Sequence, residues 1–128
     1  MLDHIGLAVA DMERAKAFYQ AALKPLGLDV VMEVTAEETG ADAHAGFGEN
    51  GRPFFWIGTG AKPRGGTHVA FAAQTRAEVE AFYRAGLAAG GRDNGPPGPR
   101  PHYHSNYYGA FVFDPDGNNI EAVCHRPE

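Results

Sequence analysis

The chain has a single cysteine, Cys124, so it can form no internal disulfide and no thiolate cluster for a metal. A lone cysteine of this kind reads as a small buried hydrophobe. Long apolar runs are also missing: no segment approaches the ~20 residues needed to span a bilayer, and no membrane partner is expected. Basic charge is scarce. Lys and Arg number 11 against 16 Asp and Glu, and no stripe of cations is present to neutralise phosphates, so nucleic acid is not an expected partner. The opening Met1-Leu2-Asp3-His4 lacks the basic stretch and apolar core of a signal peptide, which makes cytoplasmic residence the expectation. What is left is a chain of 128 residues, the size of one domain and long enough to bury a core without metal or disulfide staples.

The chain repeats itself. Displaced by 64 residues, His4 to Leu23 lies without gaps over His68 to Leu87, and His, Ala, Ala-Phe-Tyr, Ala and Leu coincide. Both segments read as strand, short turn, helix. Ile5, Leu7 and Val9 alternate on one face, as do Val69, Phe71 and Ala73. Asp11 is a good N-cap for the first helix, whose apolar stripe runs from Met12 to Leu26 before Pro25 and Gly27 end it. Thr75 and Glu78 have the spacing of a capping box for the second, which stops at Gly90-Gly91. The Phe-Tyr pairs at 18–19 and 82–83 read as core. Short alternating runs follow each helix: Asp29 to Thr35, His44 to Glu49 and Phe54 to Thr59, then Tyr103 to Asp114 and Asn119 to His125. Glu49-Asn50-Gly51-Arg52 and Asp114-Pro115-Asp116-Gly117-Asn118 read as hairpin turns, and Asp93 to Pro101 as an irregular loop over one face. The expectation is one α+β domain over 1–128, built of two tandem βαβββ modules (about 1–63 and 64–128) that form a curved mixed sheet around a central cavity.

The strand faces turned away from the helices are unusual. One carries His4, Gly6 and Ala8, the other His68, Ala70 and Ala72, so each histidine stands among residues too small to fill a core. A duplicated strand places related residues near a pseudo-twofold axis, where His4 and His68 would approach one another. In the final strand, alternation puts Asn119, Glu121 and Val123 on the face opposite Ile120, Ala122 and Cys124. A carboxylate buried there needs a partner, and a cation is the simplest one.

Three motifs together resemble the vicinal oxygen chelate superfamily, which contains glyoxalase I, bleomycin-resistance proteins, fosfomycin-modifying enzymes and extradiol dioxygenases. They are Asp3-His4-Ile5-Gly6-Leu7-Ala8-Val9 before an Ala-Phe-Tyr helix, His68-Val69-Ala70-Phe71, and Phe113-Asp114-Pro115-Asp116-Gly117-Asn118-Asn119-Ile120-Glu121. The resemblance covers essentially the whole chain. It implies that His4, His68 and Glu121 are metal ligands, and that the cofactor is a divalent transition metal such as Fe, Mn, Ni or Zn, with open positions for two neighbouring substrate oxygens. Glyoxalase I would have a second glutamate on the last strand of the first module. Here the repeat places Ile57 at that position, or Trp56 with a one-residue shift, and neither binds metal.

Other residues were weighed for supporting roles. His102, Tyr103, His104, Ser105, Asn106, Tyr107 and Tyr108 form a dense polar-aromatic segment, from which His104 and Tyr108 are candidates for acid–base work. Phe47, Phe54, Trp56 and His102 are candidate walls of a substrate pocket. Arg52, Lys62 and Arg64 sit in turns and carry no specific assignment, and His44 and His125 lack a repeat partner. The expected function is a metal-dependent enzyme acting on a small molecule with vicinal oxygens, with isomerase or lyase chemistry favoured over dioxygenase or transferase chemistry. A non-catalytic, bleomycin-resistance-like binding protein is the alternative. The resemblance also implies a homodimer, in which modules can be exchanged between chains.

Overall fold

The computed structural model describes all residues 1–128. Strand β1 (Ile5–Ala8) leads into helix α1 (Met12–Leu23) and a 3₁₀ turn (Lys24–Leu26), followed by β2 (Asp29–Val34), a short helix α2 (Ala36–Thr39), β3 (His44–Glu49) and β4 (Arg52–Gly58). The second half repeats this pattern with β5 (His68–Ala72), α3 (Arg76–Ala88), two-residue strands β6 (Arg92–Asp93) and β7 (Gly98–Pro99), then β8 (Tyr108–Phe113) and β9 (Asn119–Cys124). The caps are those expected: Asp11 accepts from the Arg14 amide, and Thr75 accepts from the Glu78 amide. The Glu78 carboxylate in turn accepts from the Gln74 amide, one residue before the cap.

Each half forms its own mixed sheet, in the order β1-β4-β3-β2 and β5-β9-β8-β6, with β7 also on β8. The first strand of each half pairs in parallel with the last strand, and the remaining pairs are antiparallel. The two-module α+β expectation is therefore met, with two sheets rather than one continuous sheet inside the chain. Helices α1 and α3 pack on each other between them.

One core joins the halves. Leu7, Phe18, Phe47 and Phe55 of the first share a buried cluster with Phe71, Phe82, Val112 and Ile120 of the second. The Phe55 and Phe71 rings meet edge-on, with centroids 5.1 Å apart. Polar ties cross the same seam. The buried Tyr19 hydroxyl donates to Asp114 Oδ2, and the Ala10 amide donates to Asp116 Oδ1. Asp114 also accepts from the Asp116 and Asn118 amides, so the Asp-Pro-Asp-Gly-Asn turn both reverses the chain and anchors helix α1 of the other half.

Two segments depart from the sequence reading. The 93–101 stretch is not wholly irregular, because its ends pair with β8 through Arg92↔Phe113, Asp93↔Val112, Gly98↔Gly109 and Pro99↔Tyr108. The strand expected from Tyr103 begins only at Tyr108. Upstream, the Tyr103 and His104 amides both donate to the Arg100 carbonyl, and the Tyr107 amide donates to the His104 carbonyl, which closes 100–107 into turns. β1, which follows His4, and β5, which carries His68, each pair on one side only and are the open edges of their sheets.

Candidate functional site

Strand alternation decides which side chains can meet. On β9, Ile120, Ala122 and Cys124 enter the core and Glu121 points the other way, yet its carboxylate is only 1% exposed. It is covered by two partners. His68, on the neighbouring β5, places Nε2 2.8 Å from Glu121 Oε1. The Tyr107 hydroxyl, at the entrance of β8, donates to Oε2. Gly109 makes room for this pair, since a Cβ there would lie 3.1 Å from the Tyr107 ring and 3.3 Å from Oε2. Burial first, and then the bond to Glu121, raises the Tyr107 pKa well above that of an ordinary phenol, so Tyr107 is a proton donor and not a base at neutral pH.

His4 is not part of this cluster. It is exposed, with Nδ1 2.7 Å from Asp3 Oδ1, and no three His, Cys, Asp or Glu side chains come together within one chain. The convergence of His4 with His68 and Glu121 expected from the pseudo-twofold relation is thus not formed inside the monomer. The reason lies in the packing: the halves meet through their helices and core, and the open edges of β1 and β5 are left without mutual pairing.

The matching outer face of the first half holds Gly6, Ala8, Trp56, Gly58 and His44 around an open cleft. Register identifies the counterpart of Glu121. Ala70 pairs with Glu121, and Gly6, its repeat partner, pairs with Trp56. An indole therefore stands where the first module would carry a fourth ligand. Trp56 packs against Gly46, where a Cβ would come within 2.9 Å of the ring and 2.8 Å of Pro53 Cβ.

The other sequence candidates divide. Phe54 sits at the irregularity in the β3–β4 pairing, packs against the core and lines an apolar cavity of about 440 Å³ with Leu2, Ile5, Val69 and Phe71, residues of the helix-facing side and not of the Glu121 face. Phe47 is a correction: its phase in β3 is that of Ala45, and it is fully buried against Tyr19 and Phe55. Tyr108 is another. Its hydroxyl donates to Glu80 of α3 at 2.6 Å and Arg76 covers its ring, which places it on the helix side of the sheet, away from Glu121. His102 and His104 are exposed and belong to an aromatic group around Tyr107. His102 lies tilted against Tyr103, Tyr103 meets Tyr107 edge-on, and His125 stands edge-on to both Tyr107 and His104.

Tyr107 and His125 are the residues that the sequence reading missed. Alternation held the signal: 119, 121, 123 and 125 share one phase on the last strand, and 107, 109 and 111 share one on its neighbour.

The donors available on the second half, one imidazole and one buried carboxylate, suit a divalent transition metal, and a third donor of His4 type would complete a set with open positions. The buried carboxylate bears on that fit as an anion turned away from the core, partnered by an imidazole and a phenol and by no Lys or Arg.

Comparison with solved structures is consistent with this architecture. A glyoxalase/bleomycin resistance protein from Albidiferax ferrireducens is 33% identical over 99% of both chains, with a TM-score of 0.79. The fold is shared with a mutant of glyoxalase I from Zea mays, 23% identical over 95% of this chain and 46% of that one, at a TM-score of 0.71. It is shared also with a mutant of the fosfomycin resistance protein FosX from Listeria monocytogenes, complexed with Mn(II) and a dihydroxypropylphosphonic acid. That chain is 22% identical over 95% of this one and 90% of its own length, at a TM-score of 0.69. No curated protein matches the sequence. The model of the Glyoxalase/Bleomycin resistance protein/Dioxygenase superfamily matches residues 1–122, nearly the whole chain, and the protein belongs to that superfamily.

Proposed function

We propose that the protein is a metal-dependent enzyme acting on a small molecule with vicinal oxygens, by isomerase or lyase chemistry, and that a second copy of the chain completes its site. The observation that carries this reading is the His68–Glu121 pair. A carboxylate 1% exposed, aimed off the core and bonded to an imidazole on an open edge strand, is costly to keep unless a cation uses it. In this reading His68 and Glu121 of one chain and His4 of a second copy hold a divalent metal. When bound, the metal would supply Lewis-acid stabilisation of negative charge developing on two neighbouring substrate oxygens.

The chain's own groups have separable tasks. Tyr107 holds Glu121 in one orientation through its hydroxyl and keeps its proton while doing so. His104 and His125, exposed and edge-on to each other beside Tyr107, are the imidazoles placed to move a proton. Trp56, on the outer face of the first module, supplies apolar surface for the remainder of the substrate.

Three features support the dimer in this reading: the open edges of β1 and β5, the exposed small residues Gly6, Ala70 and Ala72 beside them, and a His4 with no site in its own chain. A closed twofold pair would bring an outer face of module one against one of module two twice over.

The test is metal content by native mass spectrometry. One transition metal per chain is expected for the wild type, lost in His68→Ala. A dimer that takes up no metal under any loading condition contradicts the enzyme reading. That result would favour the alternative of a non-catalytic binding protein, which the indole of Trp56 in place of a fourth ligand supports.

A further inference from the structure

We propose that Arg100, with Asn94 and Asn119, forms an oxyanion subsite beside His68 and Glu121, and that the substrate carries a carboxylate next to its vicinal oxygens. The inference rests on the reading of His68 and Glu121 as the reacting end of the pocket.

Arg100 has no anionic partner in the chain. The ion pairs are His4–Asp3, Lys16–Glu33, His68–Glu121 and Arg76–Glu128, and no carboxylate lies within 4.0 Å of the Arg100 guanidinium. Its side chain is nonetheless fixed. Nη1 donates to the Gly98 carbonyl and Nη2 to the Pro96 carbonyl, both at 2.8 Å, and the guanidinium lies over the Phe111 ring, 5.5 Å from its centroid. The backbone is fixed as well, with the Arg100 amide donating to the Tyr107 carbonyl at 2.7 Å. Gly95, at φ +145°, allows the loop to come this close: a Cβ there would sit 3.0 Å from the Phe111 ring and 3.4 Å from Arg100 Nη2. Two of the five guanidinium N–H groups are used, and three remain to donate.

The neighbours are donors too. Asn94 Nδ2 donates to Asn119 Oδ1 at 3.1 Å, which occupies the Asn119 acceptor and leaves its amide N–H groups free. Arg100, Asn94, Asn119 and Phe111 line one cleft of about 360 Å³. That cleft adjoins the proposed reacting end. Asn119 is the register partner of His68, Phe111 is that of Glu121, and the His68 and Phe111 rings are 6.3 Å apart. A preorganised guanidinium flanked by amide donors, with the Phe111 ring between it and His68, matches a planar carboxylate by fork geometry. In a chain of net charge −5, such a cation gives an anionic substrate its place and its direction of entry.

The experiment compares glycerate with glycerol, two vicinal diols that differ in the carboxylate. Each is titrated into the full-length protein, loaded with zinc to a stoichiometry read by native mass spectrometry, and into the metal-free protein. The wild type is expected to prefer glycerate by about tenfold or more, with shifts of the Arg100 Nε–Hε and Asn119 side-chain amide resonances. Arg100→Gln should bring the preference below about threefold with zinc stoichiometry unchanged, and Arg100→Lys should restore part of it. Asn119→Asp, isosteric and therefore safe for the fold, should abolish glycerate binding. An undiminished preference in Arg100→Gln, or no preference in the wild type, overturns the subsite. If zinc fails to load, the reading of the metal site falls instead, and the resonance shifts in metal-free protein still decide the subsite: their absence overturns it.

Discussion

Glu121 has almost no surface facing water and two partners that differ in kind, an imidazole and a phenol. If it is a ligand, Glu121→Gln removes the charge and keeps the shape, leaving one oxygen to accept in place of two. Metal affinity should then fall by about a hundredfold or more while cooperative unfolding persists, as read by competition with a chromogenic chelator. Tyr107→Phe frees one carboxylate oxygen without removing a ligand, and the same titration should show a loss of about tenfold. Equal losses in the two variants would mean that Glu121 acts through the tyrosine and not as a ligand. His68 and Glu121 were legible in the sequence because a histidine repeats at a 64-residue spacing and a charge interrupts an apolar strand. Tyr107 was not, because three tyrosines crowd 103–108 and only the exact start of the strand tells which one faces the carboxylate. With the strand beginning at Tyr108, the phase reverses between neighbours, and Tyr107 takes the position while Tyr108 turns to Glu80.

At the scale of elements, capping and apolar periodicity marked both long helices, and strand alternation gave the sheet faces wherever a run was long enough to set its own phase. Phe47 was misread for lack of such a phase: in His44-Ala45-Gly46-Phe47-Gly48 the glycines hide which face is apolar. Gly46 makes room for the indole and Pro53, and Gly48 for the backbone of Arg52. Trp56 rests on Gly46 with no space for a methyl group, so Gly46→Ala must shift either the ring or the strand. The expected cost is about 1–3 kcal/mol in urea unfolding, accompanied by a change in emission from the single tryptophan. Unaltered stability and emission would mean that the indole is not seated on this strand. The 92–107 segment was the least legible element. Its prolines and glycines forbid long strands but permit two-residue pairings with β8, which carry no periodic signal.

In the whole molecule, the internal repeat gave the two-module architecture but not the way the modules meet. Pseudosymmetry relates His4 to His68 whether the cavity is built within a chain or between chains, and the choice depends on long-range packing such as Phe55 on Phe71 and Tyr19 on Asp114. The latter tie is testable. Tyr19→Phe leaves the buried Asp114 without one donor and should cost about 1–3 kcal/mol in thermal or urea unfolding. The pH dependence has a definite sign. Burial, followed by the charge of Asp114, raises the Tyr19 pKa well above its ordinary value of 10.0 in the folded state. Above about pH 10 the unfolded chain therefore loses a proton that the folded chain keeps, and stability falls as pH rises. Tyr19→Phe should show a shallower alkaline loss than the wild type, and parallel curves would deny the shift.

The central claim, a metal site shared between two copies, is tested most directly by complementation. His4→Ala and His68→Ala should each bind no metal. When the two are unfolded together and refolded as a mixture, half the dimers are mixed, and each mixed dimer has one intact site. Metal binding should return to about a quarter of the wild-type level in a closed twofold pair. A mixture as empty as either variant alone, or full binding by His4→Ala on its own, would contradict a site built from His4 of one copy and His68 and Glu121 of the other.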